Sequence, residues 1–238
     1  MARTIMEMTV ESVKMELPDT KTLRVTWPAD YEIEFKTGQF ITLAWPDTQN
    51  YKRAYSLSSC ALDRGAFEVT VKRDGKMGTR IVDWAKAGDK MMVLPPAGRF
   101  LPVFEQAKHL LCIAGGSGVT PFRGFVREAT LLKHPTRITI LYSVRTPSDI
   151  IFHDEFRQLE KENPLVSFHV TCTRLPEGHE WAGRHGRITA EWIREHIQDL
   201  SQTVFYACGP NELVNSTEAL VLEELKVPKE QMRTEKWG

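Results

Sequence analysis

His109-Leu110-Leu111-Cys112-Ile113-Ala114 runs directly into Gly115-Gly116-Ser117-Gly118-Val119-Thr120-Pro121. A short apolar run of this kind reads as a buried strand. The glycines then form the turn into a helix over residues 120–133, opened by Thr120-Pro121. Glycines let a backbone approach a ligand closely, and a helix start offers free N–H groups and the positive end of a dipole. The turn therefore suits a pyrophosphate. It is not the G-x-G-x-x-G dinucleotide fingerprint, and a tight strand–helix turn without a ligand accounts for it about as well.

Downstream, strands and helices alternate. Strands are expected at residues 137–142, 165–172 and 204–207, and helices at 154–162, 190–196 and 211–224. A final segment covers 231–237. This alternation predicts a parallel sheet with helices on both faces. A second turn, Tyr206-Ala207-Cys208-Gly209-Pro210, again ends a strand and precedes a helix. Ligands of such sheets lie beyond the carboxyl ends of the strands, so the two turns could border one nucleotide. Taken alone, Cys208 reads as a buried structural thiol.

Upstream the pattern is different. Short strands are expected at residues 9–15, 22–27, 40–45, 67–72 and 91–94. Turn signals separate them, including Thr37-Gly38, Trp27-Pro28-Ala29-Asp30 and Asp63-Arg64-Gly65. Many short strands at such spacing predict an antiparallel β-barrel or sandwich. One helix is embedded at about 79–87. The boundary falls near 102–106, giving domains of 1–104 and 105–238.

Bulk properties narrow the classes. The 238 residues are 42% hydrophobic and 26% charged, enough to bury a core. Basic and acidic residues balance at 31 each, which argues against a nucleic-acid binder. No membrane span is expected, and Met1–Ile5 lacks a secretory core, so the expected location is cytoplasmic. Cys60, Cys112, Cys172 and Cys208 are widely spaced, and neither they nor the histidines show metal-ligand spacing. No metal site is expected.

Two stretches of the first domain carry chemistry. Arg53-Ala54-Tyr55-Ser56 sets a cation, a ring and a hydroxyl on one extended segment, with Arg53 and Tyr55 on one side. The cation suits a phosphate and the ring suits a flat heterocycle; ordinary strand residues would read much the same. Val71-Lys72-Arg73-Asp74-Gly75-Lys76-Met77-Gly78-Thr79 supplies cations and a second helix start, or simply a solvated basic hairpin.

In order along the chain come Arg53-x-Tyr55-Ser56, Gly78-Thr79, Gly115–Pro121, Cys208-Gly209-Pro210 and Thr234-Glu235-Lys236-Trp237. The ordered set closely resembles the ferredoxin–NADP+ reductase family over almost the whole chain. The resemblance implies an FAD-binding barrel, an α/β NAD(P)-binding domain and a flavoenzyme that moves hydride from NAD(P)H to FAD. It implies that Arg53, Gly78 and Thr79 hold the flavin diphosphate, with Ala54, Val71 and Lys72 alongside. Tyr55 would stack on the isoalloxazine and Ser56 would hydrogen-bond near N5. Gly115, Gly116, Ser117, Gly118, Thr120, Pro121, Gly209 and Pro210 would receive the nucleotide. Cys208 would lie near the nicotinamide, Glu235 would assist proton transfer, and Trp237 would cover the flavin.

Arg145, Thr173, Arg174, Arg184 and Arg187 lie where relatives that prefer NADPH place 2′-phosphate partners, although the segments around Trp181 and Gly186 also resemble NADH users. The implied partner is a separate acceptor: a ferredoxin, a flavodoxin or an oxygenase component. Alternatives are a flavin-binding electron-transfer subunit of a larger complex, or a free-flavin or ferric reductase.

Overall fold

The computed structural model describes residues 5–28, 33–175, 177, 178 and 181–237; the turn at Ala29-Asp30 and the N-terminal Met1–Thr4 lie outside them. The chain forms two compact units. One is Met1–Leu101 with Arg123–Glu128, and the other is Pro102–Phe122 with Ala129–Gly238.

The first unit contains β1 (Met6–Leu17), β2 (Thr20–Thr26), β3 (Phe40–Ala44), β4 (Arg53–Ser56), β5 (Ala66–Lys72), α1 (Gly75–Trp84) and β6 (Lys90–Ala97). The strands form one antiparallel sheet in the order β4-β3-β6-β1-β2-β5. Just past β4, Leu57 bridges Val69 of β5, and the Ser58 N–H donates to the Glu68 carbonyl at 2.8 Å. The two edges are thereby joined and the sheet closes into a barrel. Period-2 alternation fills it: Leu23 and Val25, Ile41 and Leu43, and Val69 are fully buried. Each such aliphatic side chain stabilises the fold by about 1.5–3 kcal/mol.

Helix α1 starts earlier than the sequence predicts, at Gly75 rather than residue 79. Gly75 has φ +57°, so the chain turns into the helix at once after β5. The helix also ends earlier. Ala85 is extended, and the Asp89 carboxylate accepts the Lys86 N–H at 3.0 Å to shape the next turn.

The second unit holds β7 (His109–Gly115), β8 (Arg137–Val144), β9 (Val166–Cys172), β10 (Arg184–His185), β11 (Thr203–Pro210) and β12 (Met232–Trp237). All are parallel, in the order β10-β9-β8-β7-β11-β12. Its helices are α2 (Thr120–Leu131), whose middle groups with the first unit, then α3 (His153–Glu162), α4 (Ala190–Glu195) and α5 (Asn211–Ala219). Leu111, Ile113 and Leu141 pack with Trp192 and Ile193 of α4. On the opposite face Phe168 of β9 stacks on Phe156 of α3 at 4.7 Å. Both faces are therefore covered.

The expected helix 211–224 is divided. Regular α5 stops at Ala219, and Leu220–Glu224 widen into a π-turn closed by Leu225 N–H to Leu220 C=O at 3.0 Å. The wider turn lets Val221 and Leu225 both reach the core. The two-residue strand β10 carries too short a pattern to be read from sequence.

Within the first unit Arg123 is only 8% exposed and donates to the Ser58 carbonyl (3.1 Å) and the Glu68 carboxylate (2.5 Å). Burial alone would raise the Glu68 pKa. The charge and hydrogen bond of Arg123, with Arg127 and Arg24, outweigh it and hold Glu68 below the usual carboxylate range. This contribution is complete above the ordinary glutamate pKa and is lost as pH falls through the depressed native value. Glu68→Gln strands a buried guanidinium and should cost about 3 kcal/mol in denaturant unfolding at neutral pH. A variant as stable as wild type would show the pair to be energetically idle.

Candidate functional site

Strand β4 brings Arg53, Ala54, Tyr55 and Ser56 into register with β3, Tyr55 opposite Ile41 and Ser56 opposite Phe40. Arg53 and Ala54 are exposed, whereas Tyr55 and Ser56 are half-buried. The Arg53 guanidinium lies 4.5 Å over the Tyr51 ring and donates Nη2 to the Tyr51 hydroxyl at 3.3 Å. Tyr51 is a residue the sequence reading missed. It lies two residues before β4 and no sequence signal marked it. Burial pushes the Tyr55 phenol well up; Arg53 opposes this, and Tyr51 and Asp74 add to it. Tyr55 therefore stays neutral.

Asp74 precedes α1 in an extended conformation, and its side chain does not cap the helix. The uncapped N–H groups are those of residues 75–77, because the first turn of a helix has no internal acceptors. Gly78 lies one step further in and is buried: a Cβ there would meet the Lys72 carbonyl oxygen at 2.5 Å. Its role is to let α1 close on β5. Thr79 is exposed. Val71 is 1% exposed within the barrel, and the Lys72 amine pairs with Asp19 at 3.2 Å.

In the second unit the chain leaves β7 towards β8 on one side of the sheet and returns to β11 on the other. The β7/β11 pair is thus the topological switch point. Gly116–Val119 form a 3-10 turn that continues without a break into α2. The helical segment therefore starts at Gly116, four residues before the expected start at Thr120. Thr120 and Pro121 lie inside it and are buried. Gly116 has φ +53° with open space where a Cβ would point. Gly118 has none: a Cβ would lie 2.0 Å from the Cys208 carbonyl oxygen. The Tyr142 hydroxyl donates to the Gly116 carbonyl at 2.8 Å and fixes the turn.

Cys208 is fully buried opposite Ala114 on one side and Glu235 on the other. Burial pushes its thiol up, with the Glu235 carboxylate and Cys112 adding to the shift. Gly209 follows in the same strand, Pro210 is exposed, and Trp237 is half-buried opposite Pro210.

The arginines separate clearly. Arg184 lies 4.9 Å over the Trp192 ring, and Arg187 pairs with Glu212 at 2.7 Å. Arg145 and Arg174 are exposed on adjacent loops joined by Arg174 N–H to Arg145 C=O at 2.8 Å. Thr173 bonds the Val144 carbonyl through both its N–H and its hydroxyl.

These residues fit phosphate-bearing cofactors. The first unit offers an exposed guanidinium and an uncapped helix start, and the second offers a helix start with room over Gly116. Residues 7–101 match an oxidoreductase FAD-binding domain, and residues 112–219 match an oxidoreductase NAD-binding domain. Fold and matches together define a two-domain oxidoreductase that binds FAD and a nicotinamide dinucleotide.

The chain belongs to the ferredoxin–NADP+ reductase family. The glycine betaine monooxygenase reductase subunit of Chromohalobacter salexigens is 30% identical over 79% of this chain and 52% of its own length. The chain thus spans about half of that relative. Ferredoxin–NADP reductase B of Sorangium cellulosum is 26% identical over 85% of both chains. A ferredoxin NADP+ reductase from Neisseria gonorrhoeae, solved with bound FAD and NADP, superposes with a TM-score of 0.80 at 23% identity over 99% of both chains.

Gly118→Ala must move the turn away from β11. The variant should lose several kcal/mol of stability or most of its nicotinamide-nucleotide affinity. Unaltered thermal unfolding together with unaltered NADPH titration would show that the turn tolerates the displacement.

Proposed function

We propose that the chain takes electrons from NAD(P)H onto FAD and passes them to a separate ferredoxin, flavodoxin or oxygenase component. The carrying observation is the arrangement on β4: an exposed guanidinium, a neutral half-buried ring and a hydroxyl in consecutive register, in the unit whose α1 start is uncapped. The relatives' names support an acceptor of this kind, since one is an oxygenase reductase subunit and another a ferredoxin reductase. On this reading residues 1–104 are the flavin domain and 105–238 the nucleotide domain. The proposed location is the cytoplasm, in keeping with four free cysteines. No described helix is long and apolar enough to cross a membrane.

When bound, the flavin accepts two electrons from the dihydronicotinamide and releases them to the acceptor. The protein's part is binding, orientation and charge. Arg53, held in place by Tyr51, and the N–H groups of residues 75–77 take the diphosphate. Tyr55 offers a neutral ring face for stacking, and Ser56 donates a hydrogen bond to the ring. Residues 115–118 receive the nucleotide phosphates. Cys208 stays a neutral thiol beside them, and Glu235 is the proposed proton-handling carboxylate.

Purified protein reconstituted with FAD should show oxidised-flavin absorption that bleaches on anaerobic NADPH addition; a chain that retains no flavin refutes the proposal. Arg53→Ala should weaken flavin binding about tenfold or more, and an unaltered Kd would remove Arg53 from the phosphate site. We further assign the 2′-phosphate of NADPH to Arg145 and Arg174. Arg174→Ala should lower kcat/KM for NADPH about tenfold while leaving NADH nearly unaltered. Equal losses with both nucleotides would reject that assignment.

A further inference from the structure

We propose that the adenosine end of FAD binds in the recess lined by Trp45, Arg80, Trp84, Lys86 and Asp89, with its adenine stacked on Trp84. The inference rests on the flavin reading above and deepens it.

Helix α1 has two faces. Met77, Gly78, Ile81 and Val82 are buried against the barrel. Lys76, Arg80 and Trp84 recur every four residues and form one row on the outer face. The row begins at the uncapped helix start assigned to the diphosphate. It ends at Trp84, about 10–14 Å further along the axis, a reach suited to a ribose and a purine.

Trp84 is 73% exposed, the most exposed large apolar side chain among the described residues. It borders a recess of about 320 Å³. The rest of the lining is preformed. Arg80 grips the Asp47 carboxylate with two hydrogen bonds of 2.9 and 2.8 Å, and its guanidinium lies 4.4 Å over the Trp45 ring. The Trp45 indole N–H is buried without an acceptor. Both nearby carboxylates are engaged, Asp47 by Arg80 and Asp89 by the Lys86 N–H. Asp89 keeps its charge while accepting that N–H; Lys76 and Arg80 precede Trp84 along the helix and Lys86 follows it. A flat, electron-rich base joined to a phosphate fits an exposed indole with cations on either side.

The test is titration of FAD and FMN into the flavin-stripped full chain, as wild type, Trp84→Ala and Trp84→Phe. FMN carries the same ring and a phosphate but no adenosine. Wild type should bind FAD more tightly than FMN. Trp84→Ala should raise the FAD Kd about tenfold and leave the FMN Kd within about twofold, and Trp84→Phe should recover most of the loss. An unaltered FAD Kd in Trp84→Ala, or equal weakening of FAD and FMN, would place the adenosine elsewhere while leaving the flavin reading intact. Failure of wild type to bind either flavin would overturn both.

Discussion

The Gly118 Cα faces the Cys208 carbonyl so closely that no side chain fits between them; a Cβ would stand 2.0 Å from that oxygen. This approach joins the turn after β7 to the end of β11 at the one place where the sheet reverses its strand order. Everything the second unit offers a ligand depends on it. It brings the two glycine turns together, and it lets the helical segment start at Gly116, with its free N–H groups beyond the strand ends. The first unit repeats the device. Gly78 lies against the Lys72 carbonyl with 2.5 Å for a missing Cβ, so α1 starts immediately after β5. In each unit a glycine inside the helical segment lets the segment pack this close to the neighbouring strand.

Charge is distributed to match. Burial keeps Tyr55 and Cys208 protonated, so neither adds negative charge where phosphates are assigned. The one strongly buried ion pair described in the first unit, Arg123 with Glu68, remains ionised because three arginines surround the carboxylate. Desolvation acts on all three groups in the same sense. Three arginines outweigh it at Glu68, Arg53 alone does not at Tyr55, and the carboxylate and thiol beside Cys208 add to it.

The fold class was legible because the two sheets have different signatures. Many short strands between turn signals marked the barrel, and strands alternating with helices marked the parallel sheet. Helix limits were less legible. The starts at Gly75 and Gly116 come from glycines with positive φ, which read as turns when only the sequence is in view. The π-turn at Leu220–Glu224 arises from core demand on Val221 and Leu225, and no local residue announces it. In the site, Arg53, Tyr55 and the glycine turns were found by residue type and order. Tyr51 and Tyr142 were not. Each acts by holding another group, Arg53 in one case and the Gly116 carbonyl in the other, and such a role has no motif.

The arginines show the limit of reading by residue type. In sequence Arg145, Arg174, Arg184 and Arg187 are equivalent cations near one strand end. In three dimensions they differ by what each already holds. Arg184 lies on Trp192, and Arg187 faces Glu212 across an exposed pair. An exposed pair is worth under about 1 kcal/mol, so Glu212 could yield Arg187 to a phosphate at little cost. Arg184 could not move as easily, because its ring contact and half-buried position would be lost together. Arg145 and Arg174 need no such exchange. Their loops are tied by a backbone hydrogen bond, and both residues are exposed. A dianion can recruit two exposed guanidiniums from residues already tied through their backbones without first breaking a side-chain contact described for either.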